Sequence, residues 1–582
     1  MSTTISSLSV TQIKSLSTAS VAAWTTEDVA SLSTQQINAL SSAQLAALDT
    51  EDVDVLSSRQ LGAISQAAIV GLTLDQLAVL DKYDIESLST TAVARLTATQ
   101  ISAFSTVQAE ALTEAQVKTL STAQIAALGA DDIATFTTAD MAAISSRAVT
   151  GLSTQALAAL TTAQVAALDT SAVANLTTKQ VAALTTAQTA ALSAAQINAL
   201  TSKQLMVLST ENVAVLSTEQ IAALSTSGVT GLTTGQVQAL STLQVEALSA
   251  TQVKALNSTQ LSAMAADDLA VFSTADIAAI ANRAVTGIST SVLTTLSSDQ
   301  IAALSTGAVA TLSTSQVTAL STAQAEAFSS AQVKALSSLQ LAALGVDDIE
   351  TFSTADIAAI TNSAVAGLST DAIAALSTAQ VAALSTGTTA SLTTKQIAAL
   401  TTDQAKALST SQILSLTSKQ VAAFSTDNVA ALSTSQIAAF STAGVIGLSS
   451  AQIDSLSTAQ VEALSTSQVK SLRSAQLAAL DADDIATFST AEIAAIASNA
   501  ITGLSTDTIA ALSTAQVAAL STATVANLKT TQIAALSTDQ VEVLSTAQVR
   551  SLTSAQIAAL DAEDVATFST GEIAAISSLS VA

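Results

Sequence analysis

The chain has 582 residues, of which 49% are hydrophobic, 2% aromatic and 11% charged, with a formal net charge of −26. It contains no His, Cys or Pro, which removes the usual ligands of zinc, copper, haem and iron–sulfur centres and every thiol or Ser-His-Asp nucleophile. The acidic excess repels nucleic-acid phosphates and anionic headgroups, and no apolar run approaches the roughly 18–20 residues that span a bilayer.

The first eight residues, Met-Ser-Thr-Thr-Ile-Ser-Ser-Leu, lack the basic and apolar segments of a cleaved signal peptide. A cytoplasmic protein, or export by a route needing no N-terminal signal, is expected. From Leu8 to Ile576 a Leu, Ile, Phe, Met or Trp stands at every eighth position without insertion or deletion. A Val, Ile or Leu precedes almost every one by three residues, as at Ile13, Val21, Val29 and Ile37. The common octad, Ser-Thr-x-Gln-(Ile/Val)-Ala-Ala-Leu, occurs at 121–128 and 513–520. A fixed short period means a stack whose units touch their neighbours. The unbroken register predicts one continuous solenoid over 1–582, without separate globular domains.

Within 121–128, Ser121 followed three residues later by Gln124 is a capping box, and Leu120 with Ile125 has hydrophobic-staple spacing. Ala-Ala-Leu continues with good helix formers. A single long helix fails, because eight residues advance the apolar seam about 80° beyond two turns. The alternative is a β-solenoid, favoured by the Val, Ile and Thr content. Spacings of three and then five residues would place its core positions on opposite strand faces. The expected fold is therefore all-α, a solenoid of very short helices with one per octad.

A longer period overlies the octad. Gly occupies the seventh octad position at Gly71, Gly151, Gly231, Gly287, Gly367, Gly447 and Gly503, a pattern that repeats every 216 residues. In all seven octads Ala or Gly replaces the capping Gln. Loss of the box beside a flexible residue suggests a bend or altered stacking, and neutral drift copied by duplication is the plainer alternative. Glu110, Glu246, Glu326, Glu462 and Glu542 are each followed one octad later by Lys118, Lys254, Lys334, Lys470 and Arg550. These are expected to form rungs of opposite charge between adjacent repeats. Two octads beyond each cation stands an acidic pair: Asp131-Asp132, Asp267-Asp268, Asp347-Asp348, Asp483-Asp484 and Glu563-Asp564, a series opened by Glu51-Asp52. Helix capping is the expected role. Calcium is the alternative, best placed at Asp49, Glu51 and Asp52 or at Asp481, Asp483 and Asp484. Nothing interrupts the repeat to build a pocket, so no enzyme, catalytic residue or bound cofactor is expected.

The Leu-Ser-Thr-Ala-Gln-Ile-Ala-Ala-Leu unit resembles that of bacterial octad-repeat exoproteins, large acidic surface proteins of the adhesion or haem-utilisation kind. The composition is also similar to that of S-layer and type I-secreted proteins. The resemblance implies an extracellular or cell-surface location, and the tail from Glu572 to Ala582 is compatible with a C-terminal export signal. The haem label has no support in a chain with one Tyr (Tyr83) and four Met as possible ligands. The leading expectation is an extracellular structural protein, a self-associating solenoid forming a surface layer, fibre or adhesive stalk. Both ends carry the core pattern, so end-to-end or lateral assembly is expected. The other reading is a binding module whose repeated surface recognises a protein or carbohydrate.

Overall fold

The computed structural model describes residues 5–576. Residues 1–4 and 577–582, on which the expectations about the two ends partly rest, lie outside the described residues. Among those described there are 66 short α-helices, six 3-10 helices and no strand, so the all-α reading holds and the β-solenoid falls. The chain forms two compact units, Met1–Leu296 and Ser297–Ala582. Each is internally a coil of octads.

The octad at 121–128 shows how the fold is written. Ser121, extended at φ −82° and ψ 164°, caps the helix Thr122–Ala127, and Leu128 ends it at φ −71° and ψ 134°. Two successive residues in the extended region, Leu128 and Gly129, thus separate this helix from the next. No described residue has a positive φ, so the chain turns without left-handed glycine or proline. The Ser121 hydroxyl accepts from the Gln124 amide at 3.3 Å, and Gln124 Oε1 accepts from the Ser121 amide at 2.8 Å. The box therefore forms in full. Its fourth, fifth and eighth residues, Gln124, Ile125 and Leu128, are buried, while Ser121, Ala123 and Ala126 face solvent. All nine Phe and the single Trp occupy eighth positions. The core is a narrow seam of fifth- and eighth-position side chains, such as Ile221 and Leu224, which are 0% and 3% exposed.

The coil closes between three and four octads. Helices pack on helices 24 residues away, as Val10–Ser15 does on Thr34–Ala39. The buried glutamines reach carbonyls 28 and 31 residues back, so a turn holds roughly three and a half octads. Gln252 is representative. Its Oε1 takes the Ser249 amide at 2.8 Å, while its Nε2 donates to the Ile221 and Leu224 carbonyls, both at 2.8 Å. One side chain thus caps the start of its own helix and satisfies carbonyls at the end of a helix one turn earlier. The first four amides and last four carbonyls of a helix have no internal partner, and in helices of four to six residues nearly the whole backbone is in that position.

The seven glycine octads solve the same stacking problem by close approach. A Cβ on Gly71, Gly151, Gly231, Gly287, Gly367, Gly447 or Gly503 would overlap the backbone carbonyl of Ser42, Thr122, Ser202, Ser258, Ser338, Ser418 or Ser474, respectively. The expectation of a flexible bend is corrected: these glycines keep negative φ and sit at the tightest interhelical contacts. A Cβ at any of the seven would meet backbone atoms of the facing helix. Five of these octads fold as 3-10 turns, such as Val285–Gly287, while Thr226–Gly231 and Thr442–Gly447 remain α-helical.

Gly287→Ala is expected to destabilise the protein by about 1–3 kcal/mol through overpacking. Gly235→Ala, whose Cβ would meet only Thr210 Cγ2 at 3.7 Å, should be neutral or stabilise by up to about 1 kcal/mol. Urea unfolding followed by circular dichroism distinguishes the two.

Candidate functional site at the acidic octads

The ladder of cross-turn bonds depends on what occupies the fourth octad position. Gln both accepts and donates. Asn212 and Asn428 are one methylene shorter and keep only the donor half, with Nδ2 giving a bond to the Leu184 and Leu400 carbonyls at 2.9 Å in each case. Aspartate keeps only the acceptor half. Asp132 Oδ2 takes the Gly129 amide at 2.9 Å and Asp140 Oδ2 takes the Thr137 amide at 2.9 Å, with the Thr137 hydroxyl donating to the same oxygen at 2.6 Å. An ionised carboxylate has no proton to give to the carbonyl one turn back. The acidic octads are therefore helix caps, as expected, and interruptions in the ladder.

In four octads aspartates stand at both the first and fourth positions: Asp49 and Asp52, Asp81 and Asp84, Asp481 and Asp484, Asp561 and Asp564. The outer carboxylate takes the inner amide at 2.8–3.0 Å. The return bond is stretched to 3.4 Å at Asp52 and Asp484, against 2.9 Å at Asp84. Burial, and then the facing Asp49 carboxylate, push the Asp52 carboxyl above the ordinary carboxylate range. Burial and the Asp81 carboxylate do the same at Asp84, and burial and the Asp481 carboxylate at Asp484. Asp169 provides the contrast: it caps a helix whose fourth position is Ala172. There the Ser171 hydroxyl, followed by its amide, holds the carboxyl below the usual range.

Other sequence-predicted groups are not brought together. Among the described residues the ion pair that forms is Lys406–Asp403, at 3.3 Å within one exposed helix, where such pairs contribute little. The expected rungs from Glu110 to Lys118, Glu246 to Lys254, Glu326 to Lys334, Glu462 to Lys470 and Glu542 to Arg550 do not close. The physical reason is the coil: consecutive octads lie more than a quarter-turn apart, so equivalent side chains on them diverge. Among the described residues no three carboxylates gather as a metal-holding group. At Asp49, Glu51 and Asp52, and at Asp481, Asp483 and Asp484, the first and fourth carboxylates are committed to capping amides. Tyr83 is exposed, with the Lys82 ammonium 4.8 Å from its ring centre. No helix among the described residues is long and apolar enough to cross a membrane. The surface depressions are open grooves, such as that lined by Lys334, Ala358, Thr361 and Asn362.

Sequence reasoning recognised the capping half of each glutamine and missed the donor half. The signal available was the choice of Gln over Glu at a position where either completes a capping box. Gln252→Glu is expected to retain the box and lose the bonds to Ile221 and Leu224. That should cost about 1–3 kcal/mol for carbonyls left without a donor, measurable as a lower urea midpoint at pH 7.

No curated protein matches the chain. A family model, the ALTTAQ repeat, matches at residues 21–58, 133–170, 194–234, 213–242, 349–386, 381–410, 411–442, 434–466, 445–474, 485–522, 509–546, 522–554 and 541–570. These matches span more than half of the residues. The six-residue motif stands unaltered at 159–164 and 183–188, where it joins the end of one octad to the capping box of the next. By sequence and by the arrangement of that box, the chain belongs to the ALTTAQ repeat family.

Proposed function

We propose that the protein is a non-enzymatic structural repeat protein that works outside the cell, as a surface layer, fibre or adhesive stalk built by association with its own kind. The observation that carries this reading is where the polar chemistry goes. The Ser and Thr hydroxyls at first positions and the fourth-position amides are consumed in joining helix to helix, as at Ser249 and Gln252. What remains outside is small and repetitive: Ser, Thr and Ala, with scattered carboxylates. The open grooves lack the enclosed, convergent polar groups of a small-molecule site. The lack of Cys and the net charge of −26 suit an exposed protein that must stay soluble and free of thiol chemistry.

Sedimentation velocity over a hundredfold concentration range, with negative-stain images, tests the assembly half. Concentration-dependent growth into regular fibres or sheets is expected. A discrete monomer at every concentration overturns it. Fractionation of producing cells with antibody labelling of intact cells tests location; protein confined to the cytoplasm overturns the surface role.

A further inference from the structure

The carbonyls of Trp24, Leu56 and Leu456 stand where the ladder places an acceptor and receive nothing from the described residues, as do those opposite other fourth-position aspartates, such as Phe104 opposite Asp132 and Leu112 opposite Asp140. Asp52, Asp84 and Asp484 occupy fourth positions, and 28 residues before them are Trp24, Leu56 and Leu456. Opposite Gln or Asn that carbonyl is bonded, as Leu224 is by Gln252 and Leu184 by Asn212. The carbonyls of Trp24, Leu56 and Leu456 accept no such bond, although their residues are 7%, 4% and 6% exposed. Unpaired backbone carbonyls in such surroundings are costly. Asp has the same reach as Asn, and Asn212 and Asn428 show that a side chain of this length spans the gap at 2.9 Å. A carboxylate lacks only the proton.

We propose that Asp52, Asp84 and Asp484 are proton-gated rungs of the cross-turn ladder: ionised, each caps its own helix and leaves the coil open; protonated, each donates to the carbonyl of Trp24, Leu56 or Leu456 and ties successive turns together. The exchange involves one proton from solvent per rung and no other group. Asp52 and Asp484 are nearly buried, at 2% and 8% exposure, and each faces a carboxylate partner at the first position. The raised proton affinity at all three follows from burial and that partner.

The surrounding charges favour uptake. Around Asp52 are Asp49 and Glu51, with Glu27 and Asp28 on the packed helix Thr26–Ala30 and Asp75 on Leu74–Ala78. Around Asp84 are Asp81, Lys82, Glu86 and Asp54, with Arg59 on Ser58–Ala63 and Glu110 on Thr106–Glu110. Around Asp484 are Asp481 and Asp483, with Glu462 on Thr458–Glu462, where the Thr458 hydroxyl also reaches it, and Asp507 on Thr506–Ala510.

The sign follows from linkage. The folded protein holds these protons more tightly than the unfolded chain, so stability rises as pH falls through the folded range. The gain is complete below the ordinary carboxyl value of about 3.9. The test compares melting curves between pH 7 and pH 4 for the full chain, the triple variant Asp52→Asn, Asp84→Asn, Asp484→Asn, and a control, Asp299→Asn, Asp371→Asn, Asp427→Asn, at exposed positions. The rung variant, which carries the donor permanently, should melt above wild type at pH 7, and the two curves should converge on acidification. The control should retain the wild-type dependence on pH. A rung variant that keeps the wild-type pH dependence, melts lower throughout or is matched by the control overturns the proposal. Potentiometric titration of the folded proteins gives a second readout. Wild type should take up more protons than the variant between pH 7 and 4, and equal uptake overturns the proposal.

Discussion

A single glutamine side chain, bonded at both ends, is the interaction on which the coil depends. A helix of five residues cannot pair most of its own amides and carbonyls, and it is too short to form alone in water. Gln252 meets both needs, accepting from the amide that opens its helix and donating to the carbonyls that close a helix one turn earlier. The chemistry forces the orientation of the amide, since amides surround Oε1 and carbonyls surround Nε2. Stability is thereby written between turns, not within them. No octad has a complete set of hydrogen bonds without the chain roughly 28 residues away.

The fourth position is consequently the point at which the sequence edits the coil. Gln gives cap and rung, Asn gives the rung, ionised Asp gives the cap, and Ala gives neither. Along the chain these four residues alter local cohesion without disturbing the seam of fifth- and eighth-position side chains, which stays buried whichever is present: Val213 beside Asn212 and Val53 beside Asp52 are both 0% exposed. A repeat protein can in this way vary its stiffness and pH response while keeping its register, because packing and polar bonding are assigned to different positions.

This division explains what was legible beforehand. The capping box lies within four consecutive residues, so Ser121 and Gln124 announced helix, cap and period together. The core was legible for the same reason, as an unbroken register of large side chains. Cross-turn partners were not, because a turn of about three and a half octads brings a fourth-position side chain to the end of one octad and the start of the next. That offset is invisible in a list of aligned repeats. The charge rungs failed for the converse reason. Glu110 and Lys118 are close in the list and far apart around the coil. The acidic octads were readable as caps from their place at helix starts, but the orphaned carbonyls opposite Asp52 and Asp484 appear only when the turns are stacked.

The glycine octads follow from the same constraint. Gln spans turns only if the two backbones stand far enough apart for its side chain to lie between them. At Gly71, Gly287 and Gly503 the turns instead approach until the carbonyl of Ser42, Ser258 or Ser474 occupies the place of a Cβ, the arrangement of a weak Cα–H···O contact. At that separation the fourth residue must be small, and it is Ala68, Ala284 and Ala500. In these octads gain of Gly at the seventh position thus coincides with loss of Gln at the fourth, a change from amide-bridged to backbone-contacted stacking. Loss of Gln alone is tolerated elsewhere, at Ala92, Ala156, Ala172 and Ala372, where the seventh residue keeps its Cβ; gain of Gly beside a retained Gln would catch that side chain between converging helices.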